Sequence, residues 1–93
     1  GLNIYPQEIE HVLLKSSTIF KAAVLGKADT SSGQVPIAFV AYQGDKQVAH
    51  LELQKLCRQN LAAYKVPRRF VLCDDLPMTA TGKVDKKELR TRL

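Results

Sequence analysis

The sequence predicts an α+β domain in which helices pack on a three-stranded sheet, formed by an antiparallel hairpin plus a third strand. The predicted element order is α-β-β-α-β-α. Two stretches place apolar residues at helical spacing, two strand-like runs flank a short polar turn, and a third such run follows the second helix. Because 93 residues suffice for one modest core, we expect a single domain over residues 1–93.

A first helix is predicted at residues 6–16. Pro6 suits the first turn of a helix, and the helix dipole favours acidic side chains such as Glu8 and Glu10 near that end. Two carboxylates so close together could also form a catalytic pair. We interpret them instead as helix-start or salt-bridging groups.

The middle of the chain predicts a hairpin, a helix and a strand. Residues 20–27 and 35–43 are rich in apolar residues and flank a polar turn, which is typical of an antiparallel hairpin. Apolar residues at spacings of three and four predict a helix at residues 48–61. A short apolar run at residues 69–73 predicts the third strand.

The end of the chain predicts a polar loop at residues 74–83 and then a short helix. Asp85 is a good N-cap residue, and Glu88 three positions later completes a capping box. Gly82 allows a tight backbone conformation in the loop. Lys83, between this glycine and the capped helix, is placed to project from the domain toward a ligand.

Charge and composition narrow the class of function. Eleven of the 14 Lys and Arg residues follow residue 45, with only five of the nine acidic residues. A basic half favours an anionic partner such as a nucleotide, CoA, a nucleic acid or an acidic carrier protein. The apolar runs are too short to span a membrane, and two cysteines are too few for a disulfide framework. We therefore expect a cytoplasmic protein, and no His or Cys spacing indicates a metal site.

Three motifs resemble those of one enzyme family. Residues 76–85, which contain Thr-Gly-Lys-Val-Asp, resemble the last conserved motif of the adenylate-forming superfamily. That superfamily includes acyl-CoA synthetases, peptide-synthetase adenylation domains and firefly luciferase. Residues 1–10 (Gly-x-x-Ile-x-Pro-x-Glu-Ile-Glu) resemble the motif that opens its C-terminal domain, and residues 64–67 (Tyr-Lys-x-Pro) resemble a third element.

The resemblance implies the small C-terminal lid domain of a two-step ligase. In such enzymes a carboxylate attacks the α-phosphate of ATP, giving an acyl-adenylate and pyrophosphate. The thiol of CoA, or of a carrier-protein phosphopantetheine, then takes the acyl group. A large N-terminal domain would hold most of the ATP and its Mg²⁺, and the small domain would rotate between the steps. The isolated domain is therefore expected to be inactive.

The resemblance also assigns six site residues. They are Lys83, Gly82, Lys65, Gly1, Leu2 and Asn3. Lys83 would be catalytic, contacting the carboxylate and phosphate oxygens during adenylation. Lys65 matches a lysine that contacts CoA, and Gly1 matches the position past which the pantetheine arm runs. The alternatives are a solvated loop lysine, a lysine covering a helix end and a flexible terminus, respectively.

Two departures leave the acyl acceptor open. CoA-using members often carry Arg-Gly-Glu in the hairpin turn, where this chain has Ser-Gly-Gln at residues 32–34, and Asn3 stands where some members place Arg. Carrier-protein acceptance, or adenylation without CoA, are therefore alternatives. A basic nucleic-acid-binding module and a carrier-protein-docking module without catalysis are the rival classes. The aromatic–basic motifs of RNA-binding sheets are missing from the sequence, so we expect no specific nucleic-acid partner.

Overall fold

The computed structural model describes residues 4–93, and it confirms the predicted fold class and element order. Two helices precede the last strand, and one short helix follows it. A single 3₁₀ turn, Ala63–Lys65, leads into that strand. The elements are α1 (Pro6–Leu13), β1 (Ile19–Asp29), β2 (Gly33–Tyr42), α2 (Lys46–Asn60), β3 (Arg69–Cys73) and α3 (Lys86–Arg90).

The sheet has the strand order β1-β2-β3, with β2 in the centre. β1 and β2 form the predicted antiparallel hairpin, in which Val24 lies opposite Ala38. β3 runs parallel to β2, with Val71 opposite Phe39. A parallel pair needs a long crossover connection, and α2 provides it. The sequence predicted the third strand but left its direction open.

Both faces of the sheet are covered, because alternate strand residues point to opposite sides. One face packs against α1 and α2, and the other packs against α3 and the segment before it. The buried residues of the first cluster are Ile9, Val12, Leu13, Ile19, Val24, Ala38, Val40, Leu53 and Cys57. Those of the second cluster are Ala23, Leu25, Val35, Ile37, Phe39, Ala41, Leu76 and Leu89. The domain therefore has three layers, with the sheet in the middle.

The helix boundaries differ slightly from the predicted ones. α1 ends at Leu13 rather than residue 16, because the backbone N–H of Ser16 donates to Leu13 O at 3.2 Å in a tighter turn. α2 begins two residues earlier than predicted. Asp45 caps it by accepting a hydrogen bond from the Val48 N–H at 3.0 Å.

The C-terminal third follows the sequence prediction closely. β3 occupies residues 69–73, as expected. Asp85 caps α3 by accepting a hydrogen bond from the Glu88 N–H at 3.2 Å. Leu89, on the inner side of this short helix, is fully buried. No helix within residues 4–93 combines the length and apolar character needed to cross a membrane.

Candidate active-site hairpin

Lys83 lies on a small hairpin, which we call the Lys83 hairpin (residues 77–85), where the sequence predicted only a polar loop. The backbone N–H of Thr79 donates to Lys83 O at 2.7 Å, and the N–H of Asp85 donates to Pro77 O at 2.7 Å. These two rungs join the outgoing and returning backbone directly before α3 begins. The position of Lys83 is therefore set by backbone hydrogen bonds and not by a loose loop.

The tip of the hairpin depends on Gly82. Its φ angle is 85°, in the left-handed region that side chains other than glycine rarely adopt. Its N–H donates to Thr79 O at 3.1 Å, and the Lys83 N–H lies 3.3 Å from Thr79 Oγ1. A left-handed glycine closing a short turn is a common form of three-residue hairpin loop. The glycine thus lets the chain reverse immediately before Lys83.

The Lys83 side chain is exposed and free to meet a ligand. Within residues 4–93, no carboxylate lies within ion-pair distance of its ammonium group. Lys21, Lys65 and Lys86 differ in this respect, since each pairs with a carboxylate, whereas Lys83 is among the lysines within residues 4–93 that form no ion pair. The ammonium of Lys83 therefore remains available for an anion outside the described part of the chain.

The base of the Lys83 hairpin is anchored to the rest of the domain. Leu76 before it and Leu89 after it are 4% and 0% exposed in the second core cluster. Lys21 Nζ lies 2.7 Å from Asp75 Oδ1 just before the hairpin. The hydrogen bond from Lys21, followed by one from the Leu76 N–H, lowers the pKa of the Asp75 carboxyl. The exposed tip thus stands on a firmly packed base.

A second ion pair anchors the other end of the hairpin. Lys86 Nζ lies 2.8 Å from Glu10 Oε2, and the same oxygen accepts the backbone N–H of Val24 at 2.8 Å. This contact joins α1, β1 and α3 at one carboxylate. This contact could not be predicted, because Glu10 and Lys86 lie at opposite ends of the chain and no local pattern pairs them.

Lys65, the second predicted site lysine, is already engaged inside the domain. Its Nζ lies 2.8 Å from Glu8 Oε1 and 5.6 Å from the centre of the Tyr64 ring, and its side chain is only 18% exposed. The hydrogen bond to Glu8 raises the pKa of the Lys65 ammonium. The interpretation of Glu8 and Glu10 as salt-bridging groups is thereby confirmed.

The predicted site residues fall at separate places on the domain. Glu8 and Glu10 are two residues apart on α1, and side chains with that spacing do not face each other on a helix. Lys65 and Lys86, which contact these two carboxylates, therefore lie on different sides of α1, and the Lys83 hairpin ends directly before Lys86. The remaining predictions, Gly1, Leu2 and Asn3, lie outside the described residues.

The residues present fit part of the ATP-binding role that the resemblance implies. An unpaired ammonium on a rigid turn is suited to bind phosphate or carboxylate oxygens. Within residues 4–93, no group of three or more His, Cys, Asp or Glu residues could hold a metal ion.

Comparison with known proteins supports the resemblance. Residues 8–83 match a family model described as the AMP-binding enzyme C-terminal domain. A 2-succinylbenzoate–CoA ligase from Listeria monocytogenes is 40% identical over 92 residues, covering 99% of this chain and 19% of that protein.

Two solved structures share the fold. The o-succinylbenzoate CoA synthetase of Bacillus subtilis, in complex with the acyl-adenylate intermediate OSB-AMP, is 38% identical, with a TM-score of 0.86 over 97% of this chain and 18% of that one. The amide bond synthetase of Marinactinospora thermotolerans is 34% identical, with a TM-score of 0.87 over 98% and 18% of the two chains. This chain spans 18–19% of the length of the relatives that it matches. On these grounds, the chain belongs to the family of AMP-binding enzyme C-terminal domains, within the adenylate-forming superfamily.

Proposed function

We propose that this chain is the C-terminal catalytic domain of an ATP-dependent ligase, and that Lys83 supplies a positive charge for acyl-adenylate formation. The observation that carries the proposal is the unpaired ammonium of Lys83 at the tip of a rigid hairpin. The family match over residues 8–83 and the relatives named as CoA ligases support it. The carboxylate pocket and most of the ATP site would belong to a large N-terminal domain of the same polypeptide.

The chemistry of adenylation explains the need for such a lysine. A carboxylate oxygen attacks the α-phosphorus of ATP, a new P–O bond forms, and the bond to the leaving pyrophosphate breaks. Two anions must approach each other, and negative charge gathers on the oxygens around phosphorus. An ammonium that contacts the carboxylate and phosphate oxygens offsets this repulsion, most strongly where water is excluded. We assign this role to Lys83.

The second half-reaction would use another part of the surface. A thiol attacks the acyl carbonyl carbon, the thioester bond forms, and AMP leaves with the electron pair of the broken bond. Lys65 contacts a carboxylate on one side of α1, and Lys86, which directly follows the Lys83 hairpin, contacts a carboxylate on another side. That separation supports a domain that rotates between the two steps and presents one lysine in each. To contact an acceptor, Lys65 would exchange the Glu8 carboxylate for a phosphate oxygen.

CoA is the acceptor that we propose, with a carrier-protein phosphopantetheine as the alternative. The relatives named 2-succinylbenzoate–CoA ligase support CoA. The fold also occurs in an enzyme named as an amide bond synthetase, a name that refers to an amide and not to CoA. A cytoplasmic location fits this chemistry and belongs to the same proposal.

Carboxylate-dependent ATP–pyrophosphate exchange tests the proposed function. The full-length enzyme is compared with a variant truncated before this domain, and 2-succinylbenzoate is the first carboxylate tried because the relatives are named for it. We expect exchange with at least one carboxylate, and its loss on truncation. Exchange that survives the truncation would contradict the proposal. So would tight binding to nucleic acid by a protein that shows no exchange.

A further inference from the structure

The Glu10 carboxylate contacts more than one element of the domain. It lies on α1, against one face of the sheet, and its Oε2 atom contacts β1, an edge strand of that sheet. There it accepts the Val24 N–H and the Lys86 ammonium, both at 2.8 Å. Lys86 begins α3, which packs on the opposite face. One carboxylate oxygen therefore joins all three layers of the domain.

This contact lies close to the catalytic lysine. Lys86 follows Lys83 by three residues, and the rung between Asp85 and Pro77 closes the hairpin directly before it. α3 has only five residues, which is too short for a helix to be stable by itself. Its start must therefore be held by the Asp85 cap, by the buried Leu89 and by the Lys86 ion pair.

The two ion pairs at the ends of the Lys83 hairpin are not equivalent. Asp75, which pairs with Lys21, has a side chain 63% exposed, so solvent screens that interaction. The Glu10 side chain is 17% exposed and is oriented by a backbone donor as well as by Lys86. Asp75 also accepts a backbone N–H, but from the next residue, Leu76, and solvent competes for its exposed oxygens. Glu10 is held by a strand of the sheet and is shielded from solvent, so it gives Lys86 a defined place.

We propose that Glu10 is a positioning residue for Lys83, acting through Lys86. The β1 backbone fixes the carboxylate, the carboxylate fixes Lys86, and Lys86 fixes the end of the hairpin that carries the catalytic ammonium. The inference rests on the proposed role of Lys83 in adenylation. It adds that the accurate placement of Lys83 depends on an ion pair between Glu10 and Lys86, which are more than seventy residues apart in sequence.

The test compares variants of the full-length enzyme in both half-reactions. Lys86→Gln removes the ion pair and leaves the bond between Glu10 and the Val24 N–H in place. Lys86→Arg keeps a cation at the same position. Lys87→Gln is the matched control, because Lys87 is exposed on the same helix and forms no ion pair with any residue from 4 to 93.

We expect Lys86→Gln to lower kcat for adenylation roughly tenfold, since small misplacements of a catalytic group have effects of this order or larger. The KM values for ATP and carboxylate should change less than about twofold, and thioester formation from supplied acyl-adenylate should be unaffected. Lys86→Arg should recover most of the rate. Amide hydrogen exchange at Thr79 and Lys83 should be faster in Lys86→Gln than in Lys87→Gln.

The possible outcomes separate this inference from the proposed function. If Lys83→Ala abolishes adenylation but Lys86→Gln behaves like Lys87→Gln, Glu10 does not position Lys83 and the proposed function stands. If Lys86→Gln lowers both half-reactions equally, its role is general stability and the inference is wrong. If Lys83→Ala has no effect on adenylation, the inference and the proposed function are both wrong.

Discussion

At the scale of single residues, Cys57 illustrates how position decides chemistry. It lies on α2, is fully buried in the first core cluster, and forms no disulfide. Burial disfavours the charged thiolate and raises the pKa of the thiol from 9.0 to about 11. Cys73, on β3, is only partly buried. We therefore expect the two cysteines to differ in reactivity and in their effect on stability.

The raised pKa of Cys57 predicts a loss of stability at high pH. The unfolded chain releases the thiol proton near pH 9, whereas the folded chain holds it to about pH 11. This contribution to the free energy of unfolding is thus fully present below pH 9 and is lost as the pH rises toward 11. Urea unfolding at a series of pH values measures it, with Cys57→Ala as the control. If the free energy of unfolding fell equally with pH in both proteins above pH 9, the raised pKa of Cys57 would be wrong.

The residues of the candidate site were predictable to very different degrees. Gly82 and Lys83 are adjacent in a local motif, so they could be named from the sequence. The left-handed φ of Gly82 agrees with the tight backbone conformation predicted there. The engagement of Lys65 by Glu8 was not predictable as a specific pair, because the two lie 57 residues apart. Contacts between distant residues depend on the packed fold. The pairing of Glu10 with Lys86 was not predictable for the same reason.

At the scale of secondary-structure elements, the stability of α3 depends more on the groups at its ends than on its own length. It has five residues, and its Asp85 cap lies at the junction with the Lys83 hairpin. The cap and the hairpin therefore share a residue. Asp45 caps the much longer α2 in the same way, which provides a comparison within one domain.

Removing the α3 cap should weaken the domain and loosen the hairpin together. Asp85→Ala should lower the free energy of unfolding by about 1 kcal/mol, whereas Asp85→Asn, which can still accept a hydrogen bond, should cost much less. Urea unfolding measures the first effect, and amide exchange at Lys83 the second. Asp45→Ala should destabilise the domain without speeding exchange in the hairpin. Wild-type stability in Asp85→Ala would show that the cap contributes nothing.

Local sequence patterns predicted elements better than their arrangement. The bounds of β3 and the Asp85 cap follow from short-range preferences, and both are confirmed. The parallel pairing of β3 with β2 depends on where α2 returns the chain, so the strand itself carries no mark of its direction. The Lys83 hairpin was predicted as a loop. Backbone hydrogen bonds hold it together, and the side-chain pattern of residues 77–85 does not indicate them.

At the scale of the whole molecule, the domain combines a packed scaffold with the exposed Lys83 hairpin. The sheet is covered on both faces, and within residues 4–93 no buried side-chain polar atom lacks a hydrogen-bond partner. All of the net positive charge lies in the second half of the chain, where the Lys83 hairpin projects. A rigid scaffold with exposed cations suits a domain that completes the active site of a larger enzyme.

The most direct test of this account is the ratio of the two half-reaction rates in Lys83→Ala of the full-length enzyme. Adenylation should fall by roughly 10²–10³, the loss typical of one charge-stabilising donor, because the ammonium meets charge that develops only in that step. Thioester formation from supplied acyl-adenylate should remain near the wild-type rate. Lys83→Arg should also lose adenylation, since a planar guanidinium does not reproduce a compact ammonium. An equal fall in both rates with the fold intact, or no fall in either, would contradict the role assigned to Lys83.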